Sequence, residues 1–258
     1  MEMRRNPFVA GLQKGRPQIG LWVSLSSNVA AEVVAPAGFD WALIDMEHSA
    51  NDYFSVLGQL QVFAGHDTVP IVRIEWNDAV AVKRVLDLGA PGLLFPMIQS
   101  VEEAERAVAA TRYPPGGVRG VSGATRANGF GRAMEYFARL EDETAVLLQL
   151  ESRVAVERAE EIAGVKGVTG VFFGPGDIAA DLGHLGLPMH PEVWDLIRPA
   201  ARALIAKGVP VGTLVLDPQF AAQLLNEGFT FVACGMDTVL LSRASDALLA
   251  QVRSGTAQ

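Results

Sequence analysis

Short apolar runs alternate with longer amphipathic segments along the whole chain, and this alternation limits the fold more than any single motif does. The runs are IGLWVSL (19–25), WALID (41–45), VPIVRI (69–74), GLLFPM (92–97), AVLLQLE (145–151), GVFFG (170–174), VPVGTLVL (209–216) and FVACG (231–235). Each is nearly continuous in apolar residues, as expected of parallel strands covered on both faces.

The segments between them read as helices. NVAAEVVAPAG follows the first run and DYFSVLGQLQVFAG the second. DAVAVKRVLDLGA is predicted to begin at Asp78 behind an Asn77 cap and to end near Gly89. SVEEAERAVAATR opens at Ser100, with Glu103 at the capping-box spacing. RVAVERAEEIAG, PEVWDLIRPAARALIAKG, DPQFAAQLLNEG and DTVLLSRASDALLAQVRSG complete the set. Eight strands and about eight helices in 258 residues match a (β/α)8 TIM barrel. The expectation is therefore an α/β chain forming a single domain over residues 1–258. An open doubly wound sheet is the rival, but SLSSN stands where a dinucleotide fold would carry G-x-G-x-x-G.

A hydrophobic share of 50% is ample for such a core. The formal net charge of -8 argues against nucleic acid or an anionic membrane as partner. The one cysteine, Cys234, excludes a disulfide within the chain and points to a buried, inert thiol. No stretch approaches the about 20 apolar residues that span a bilayer, and the N-terminus lacks a signal-like apolar run. The expected location is the cytoplasm.

Two connections are long, about 113–132 and about 175–191. Both are read as strand-to-helix connections, which would put them at the C-terminal face where barrel active sites are built. The polar residues at strand ends converge on that face. Glu151 and Asp177 end adjacent strands, and two carboxylates brought together repel unless a cation lies between them. Mg2+ suits such a pair, and Mn2+ or Co2+ can substitute. The plainer reading makes both residues helix caps. Arg73, inside an apolar strand, needs a matching anion, which is either a structural partner or a ligand oxygen. Gln149 shares a strand face with Glu151 and reads as a ligand contact or an interior filler. His48 follows Asp45 by three residues, and a carboxylate can orient an imidazole for proton transfer. An exposed histidine near a helix start is the alternative. Glu47 has no assigned role. His66 falls at a turn on the opposite face, and His184 and His190 fall in the 175–191 connection. No H-x-x-x-H or H-x-H spacing signals zinc, and there is no G-x-S-x-G elbow or P-loop. Lys83, Lys166 and Lys207 avoid strand ends, which disfavours a Schiff base.

The stretches GLWVSLSSNVAAEVVAPAGFDWALIDMEHS, VPIVRIEWND, LLFPMIQSVEEAERAVAATRYPPGGVRGV, LLQLES, GVFFGPGDIAADLG and FVACGMDTVLLSRA together resemble the HpcH/HpaI family of metal-dependent pyruvate aldolases. The likeness runs in one register from about residue 17 to 250. It implies a barrel that binds Mg2+, Mn2+ or Co2+ through Glu151 and Asp177. It makes Arg73 the contact to the keto and enolate oxygen, and His48 with Asp45 the acid/base pair at the 4-hydroxyl. Gln149, Gly176 and Asp177 would line the keto-acid site, and Leu214 joins the expected substrate contacts. The family's assembly implies a homo-oligomer, a hexamer built as a trimer of dimers, in which the C-terminal helix (about 237–252) is exchanged between subunits. Two departures stand out. GPGDIA replaces the more common G-P-A-D-L-S, and GVSGATRANGFGR differs in length and composition, with Arg126 the candidate match to a loop arginine there.

The expected activity is reversible, metal-dependent aldol cleavage of a 4-hydroxy-2-oxo acid to pyruvate or hydroxypyruvate and an aldehyde. A citrate-lyase-β-like acyl-CoA lyase is the alternative enzyme, although no basic adenosine-phosphate site is evident. A non-catalytic keto-acid binder is the third reading.

Overall fold

The computed structural model describes Met3 and residues 5–256. Its eight strands are β1 (Gln18–Val23), β2 (Trp41–Asp45), β3 (Val69–Arg73), β4 (Gly92–Phe95), β5 (Ala145–Leu150), β6 (Gly170–Phe173), β7 (Val211–Leu214) and β8 (Phe231–Met236). They are parallel and close into a barrel in chain order, β8 pairing with β1. The (β/α)8 expectation holds.

Alternation along each strand decides what faces the barrel axis. In β2, Trp41 and Leu43 join the inner cluster, while Ala42 and Ile44 pack outward against helices. In β3, Val69 and Ile71 point in and Val72 points out; in β5, Ala145 and Leu147 point in and Val146 and Leu148 out. The next inward positions are Asp45, Arg73 and Gln149, followed by Glu151. A two-residue period thus puts apolar side chains low on the axis and polar ones at its C-terminal end.

The floor is aromatic. Helix α1 (Pro7–Gln13) inserts Phe8 between Trp41 and Phe231, with ring centroids 5.8 and 5.7 Å away. Asn6 caps α1 and also donates to the carbonyls of Pro91 and Glu143, tying the helix across the barrel end. Gly20 is required beside this plug, because a Cβ there would lie 2.2 Å from the Trp41 ring.

The remaining helices are α2 (Asn28–Val34), α3 (Tyr53–Phe63), α4 (Ala79–Asp87), α5 (Val101–Thr111), α6 (Tyr136–Glu143), α7 (Arg153–Glu157), α8 (Ala159–Ala163), α9 (Pro175–Asp181), α10 (Pro191–Ala206), α11 (Pro218–Asn226) and α12 (Asp237–Thr256). The cap of α4 is Asp78 rather than Asn77: its carboxylate accepts from the Val80 and Ala81 amides at 2.9 Å. At α5, Ser100 caps as expected, but Glu103 reaches back to the Gln99 amide. RVAVERAEEIAG is two short helices, α7 and α8, and the 175–191 connection contains α9.

The 113–132 connection lies elsewhere than expected. It follows α5, not a strand, and returns through α6 to β5, so it packs at the N-terminal end of the barrel. There Arg119 is buried, 2.6 Å from Asp87, and Arg126 donates to the Leu88 carbonyl at 2.7 Å. Arg126 therefore ties down helix ends and does not line the mouth of this chain.

Helix α12 leaves the body. Asp237 anchors its start by accepting from the Ser24 and Leu25 amides, but Leu240, Leu241, Leu248, Leu249 and Val252 are all exposed. Among the described residues, no helix is long and apolar enough to cross a membrane.

Candidate active site

A pocket of about 500 Å³ opens at the C-terminal end of the barrel. The residues expected from sequence to bind metal or substrate or to act in catalysis line it: Asp45, His48, Arg73, Gln149, Glu151, Gly176, Asp177 and Leu214. A larger groove, about 1490 Å³, lies at the opposite end and is lined by His66 and the 113–132 connection. It contains none of these strand-end groups, so the smaller pocket is the candidate site.

Register brings Asp45 and Arg73 side by side, as directly paired residues of β2 and β3. Arg73 Nε donates to Asp45 Oδ1 at 2.9 Å and Nη2 to Oδ2 at 2.7 Å, the two-pronged geometry that a guanidinium favours. Trp22 Nε1 and the Glu47 amide also donate to this carboxylate. Burial opposes ionisation of Asp45, yet the Arg73 bonds and charge outweigh it and hold the carboxyl below its usual range. Burial likewise opposes the Arg73 charge, and Asp45 and Glu47 more than compensate. Arg73 Nη1 lies 2.8 Å from Glu47 Oε2, an ion pair too oblique for a hydrogen bond. The guanidinium sits over Trp22, 4.9 Å from its ring centre.

This corrects the expected Asp45–His48 pairing. Asp45 orients Arg73 and meets His48 at its backbone amide, 3.4 Å away. The His48 ring stands at the pocket wall, 65% exposed, with its Nε2 3.9 Å from Glu47 Oε2. Glu47, which had no role from sequence, sits between the arginine and the imidazole.

Glu151 is buried at the end of β5. Its carboxylate accepts from the Met97 amide at 2.7 Å and from Gln149 Nε2. Met97 turns that amide inward with a φ of 54°, uncommon for a non-glycine residue and typical of functional sites. Gly174 leaves the space, since a Cβ there would lie 2.8 Å from the Glu151 side chain. Burial, reinforced by the Glu47 and Asp177 charges, pushes the Glu151 carboxyl up to about 8, against the pull of Arg73. Asp177 follows on the first turn of α9, exposed to the pocket beside Gly176. The Gln149 amide oxygen is buried without a partner. Excess negative charge at a buried carboxylate and an orphaned amide oxygen are what a hard divalent ion would relieve, so the residues present fit one.

Sequence reasoning missed several wall residues. Trp22 was available from strand alternation, whereas Met189 and Arg243, which also line the pocket, gave no signal. No lysine lines the pocket among the described residues. Cys234 packs away from it, its thiol pushed up by burial.

The HpcH/HpaI aldolase/citrate lyase family profile matches residues 18–244. A pyruvate aldolase from Rhizobium etli is 51% identical, covering 97% of this chain and 99% of its own. A 4-hydroxy-2-oxo-heptane-1,7-dioate aldolase from Escherichia coli is 48% identical, with 95% and 94% covered. The crystal structure of an HpcH/HpaI aldolase/citrate lyase family protein from Burkholderia cenocepacia superposes with a TM-score of 0.92 at 39% identity, covering 96% of this chain and 99% of that one. With a closed eight-stranded barrel and this pocket at its C-terminal face, the chain belongs to the HpcH/HpaI aldolase/citrate lyase family and is an aldolase-type lyase.

Proposed function

We propose that the chain cleaves 4-hydroxy-2-oxo acids reversibly to pyruvate, or hydroxypyruvate, and an aldehyde, with help from a divalent metal ion. The observation that carries this is a fixed guanidinium, Arg73, next to a buried carboxyl, Glu151, pushed up to about 8.

Glu151 and Asp177 are the groups that would hold Mg2+, Mn2+ or Co2+, and the ion would supply Lewis-acid polarisation of the 2-keto group. The chain's own residues do the rest. Arg73 spends Nε and one N–H of Nη2 on Asp45 and turns Nη1 toward Glu47, so part of its donor set stays free for the pocket. Those donors face the keto oxygen, where negative charge grows as the C3–C4 bond breaks. A preorganised cation at that point stabilises the transition state without reorganising. Asp45 is the positioning residue that keeps the guanidinium aimed. His48 takes the 4-hydroxyl proton, directly or through one water; the aldehyde leaves, and C3 is then protonated to give the keto acid. Amides on the first turn of α9 near Gly176 and Asp177 are suited to a carboxylate. Leu214 offers an apolar wall.

Assembly is part of this proposal. The uncovered apolar face of α12 is the surface that a second copy would bury, in line with exchange of this helix and a hexamer built as a trimer of dimers. Light scattering on the full chain should give an oligomer.

Pyruvate release from 4-hydroxy-2-oxo acids, followed by a coupled reductase, tests the reaction. His48→Ala should suppress cleavage more than solvent exchange of the pyruvate methyl protons, whereas Arg73→Ala should suppress both. Intact turnover in both variants would remove this site assignment.

A further inference from the structure

The connection after α9 holds a second set of ligating side chains, and the aldol reading does not use it. His184, His190 and Glu192 each bring one donor atom to within 4.8 Å of the others. The two imidazoles stack, with centroids 3.5 Å apart and planes 20° from parallel. His184 Nε2 lies 2.9 Å from Glu192 Oε2. Neighbouring ligands around a tetrahedral ion at metal–ligand distances of about 2.0–2.1 Å sit about 3.3 Å apart. One pair is therefore already near that spacing, and the half-buried His190, whose Nδ1 accepts from the Glu192 amide at 3.4 Å, keeps its ligating atom within 4.8 Å of the other two.

The backbone holds the three residues in place. Gly183 and Gly186 adopt φ of 83° and 79°, which allows two tight turns in four residues. The His184 amide donates to Ala179, Leu187 to His184, and His190 to Leu187, at 2.7–2.9 Å. His190 is the cap of α10, with Pro191 next, and Glu192 is in the first turn. Trp194 Nε1 bonds the Pro188 carbonyl at 3.0 Å and pins the connection from below. An exposed ion pair would use one imidazole; here a second is stacked against it on the same side of the carboxylate. The histidines are six residues apart, neither H-x-x-x-H nor H-x-H, and the two glycine turns at Gly183 and Gly186 bring them face to face.

We propose that His184, His190 and Glu192 form a site for a borderline transition ion of the Zn2+ class, with the remaining position open to water. Two neutral imidazoles and one carboxylate are a donor set that Zn2+ takes and that Mg2+, preferring oxygen, does not. None of the three lines the catalytic pocket, but Pro188 and Met189 of the same connection do, so a bound ion would clip that wall of the pocket.

The test uses the untagged full chain, stripped of metal and then kept in excess Mg2+. Zn2+ is titrated against a chelating dye, and Cu2+ binding is read by electron paramagnetic resonance. One Zn2+ per chain should bind equally well to wild type and to Glu151→Gln. His184→Ala or His190→Ala should weaken it by about 100-fold or more. The Cu2+ spectrum should show coupling to two nitrogens, reduced to one in either histidine variant. No Zn2+ binding, loss of binding in Glu151→Gln, or unchanged affinity in the histidine variants would each overturn the proposal.

Discussion

The two ends of the barrel axis differ in what their inward positions carry. At the N-terminal end those positions are Trp41 and Phe231, with Phe8 inserted from α1. At the C-terminal ends of β2, β3 and β5 they become Asp45, Arg73, Gln149 and Glu151. The floor gains from apolar burial and ring packing. The mouth crowds like charges, orphans a buried amide oxygen and pushes one carboxyl up to about 8. Such an arrangement costs stability, and perturbed groups of this kind cluster at functional sites. The division matches the general pattern for this architecture, with stability at the bottom and catalysis at the top.

Substitutions at the two ends should therefore separate folding from turnover. The largest expected effect is at the floor. Trp41→Ala removes a fully buried ring beside Gly20, which has no side chain to fill the gap, and should lower stability by about 3–5 kcal/mol. Urea unfolding measures this, and kcat per folded molecule should be unchanged; a large loss of kcat would mean that the ends are not independent.

At the mouth the balance reverses. Arg73→Lys keeps a charge but loses the two-pronged hold on Asp45, and should cost about 10²–10³ in kcat, or about 3–4 kcal/mol, with the protein still folded at 25 °C. Retained activity would place the developing charge elsewhere.

Glu151 links the site to stability through pH. In the metal-free chain the folded state keeps the Glu151 proton up to about 8, while the unfolded chain releases it near 4.5. The folded state binds more protons in that window, so stability should fall as pH rises from about 4.5 to about 8 and then level off. Glu151→Gln should flatten this decline in EDTA-treated protein, as read by urea midpoints; an unaltered slope would assign it to another group.

The smallest effect is expected at Gly176. A methyl there meets no atom within 4 Å, so Gly176→Ala should fold normally. It should shift the preference between pyruvate and hydroxypyruvate by roughly tenfold or less, measured as a ratio of kcat/KM.

Most of the mouth was legible in the sequence because strand alternation is local. Once WALID, VPIVR and AVLLQLE are strands, the parity of Asp45, Arg73, Gln149 and Glu151 follows. Partner choice was not legible. Arg73 meets Asp45 because β2 and β3 align residue for residue, and register is a property of the assembled sheet. His48 lost its expected carboxylate for the same reason. The 113–132 connection was placed at the wrong end although SVEEAERAVAATR, read as a helix, directly precedes it: a segment that follows a helix and leads to the next strand lies at the N-terminal end, and α6, YFARLEDE, went unrecognised between it and β5. Helix α1 was missed too: seven residues give too little periodicity to read, and its stability comes from docking under the barrel. The His184–His190–Glu192 group was invisible because two glycine turns, not sequence spacing, bring it together.

The central claim is that the carboxylates of the mouth serve the aldol reaction by holding a divalent ion. Stripping metal with EDTA, verifying its absence by elemental analysis and assaying retro-aldol cleavage tests it most directly. The account predicts loss of activity, restored by Mg2+, Mn2+ or Co2+ in wild type but not in Glu151→Gln. Full cleavage by verified metal-free protein would contradict it.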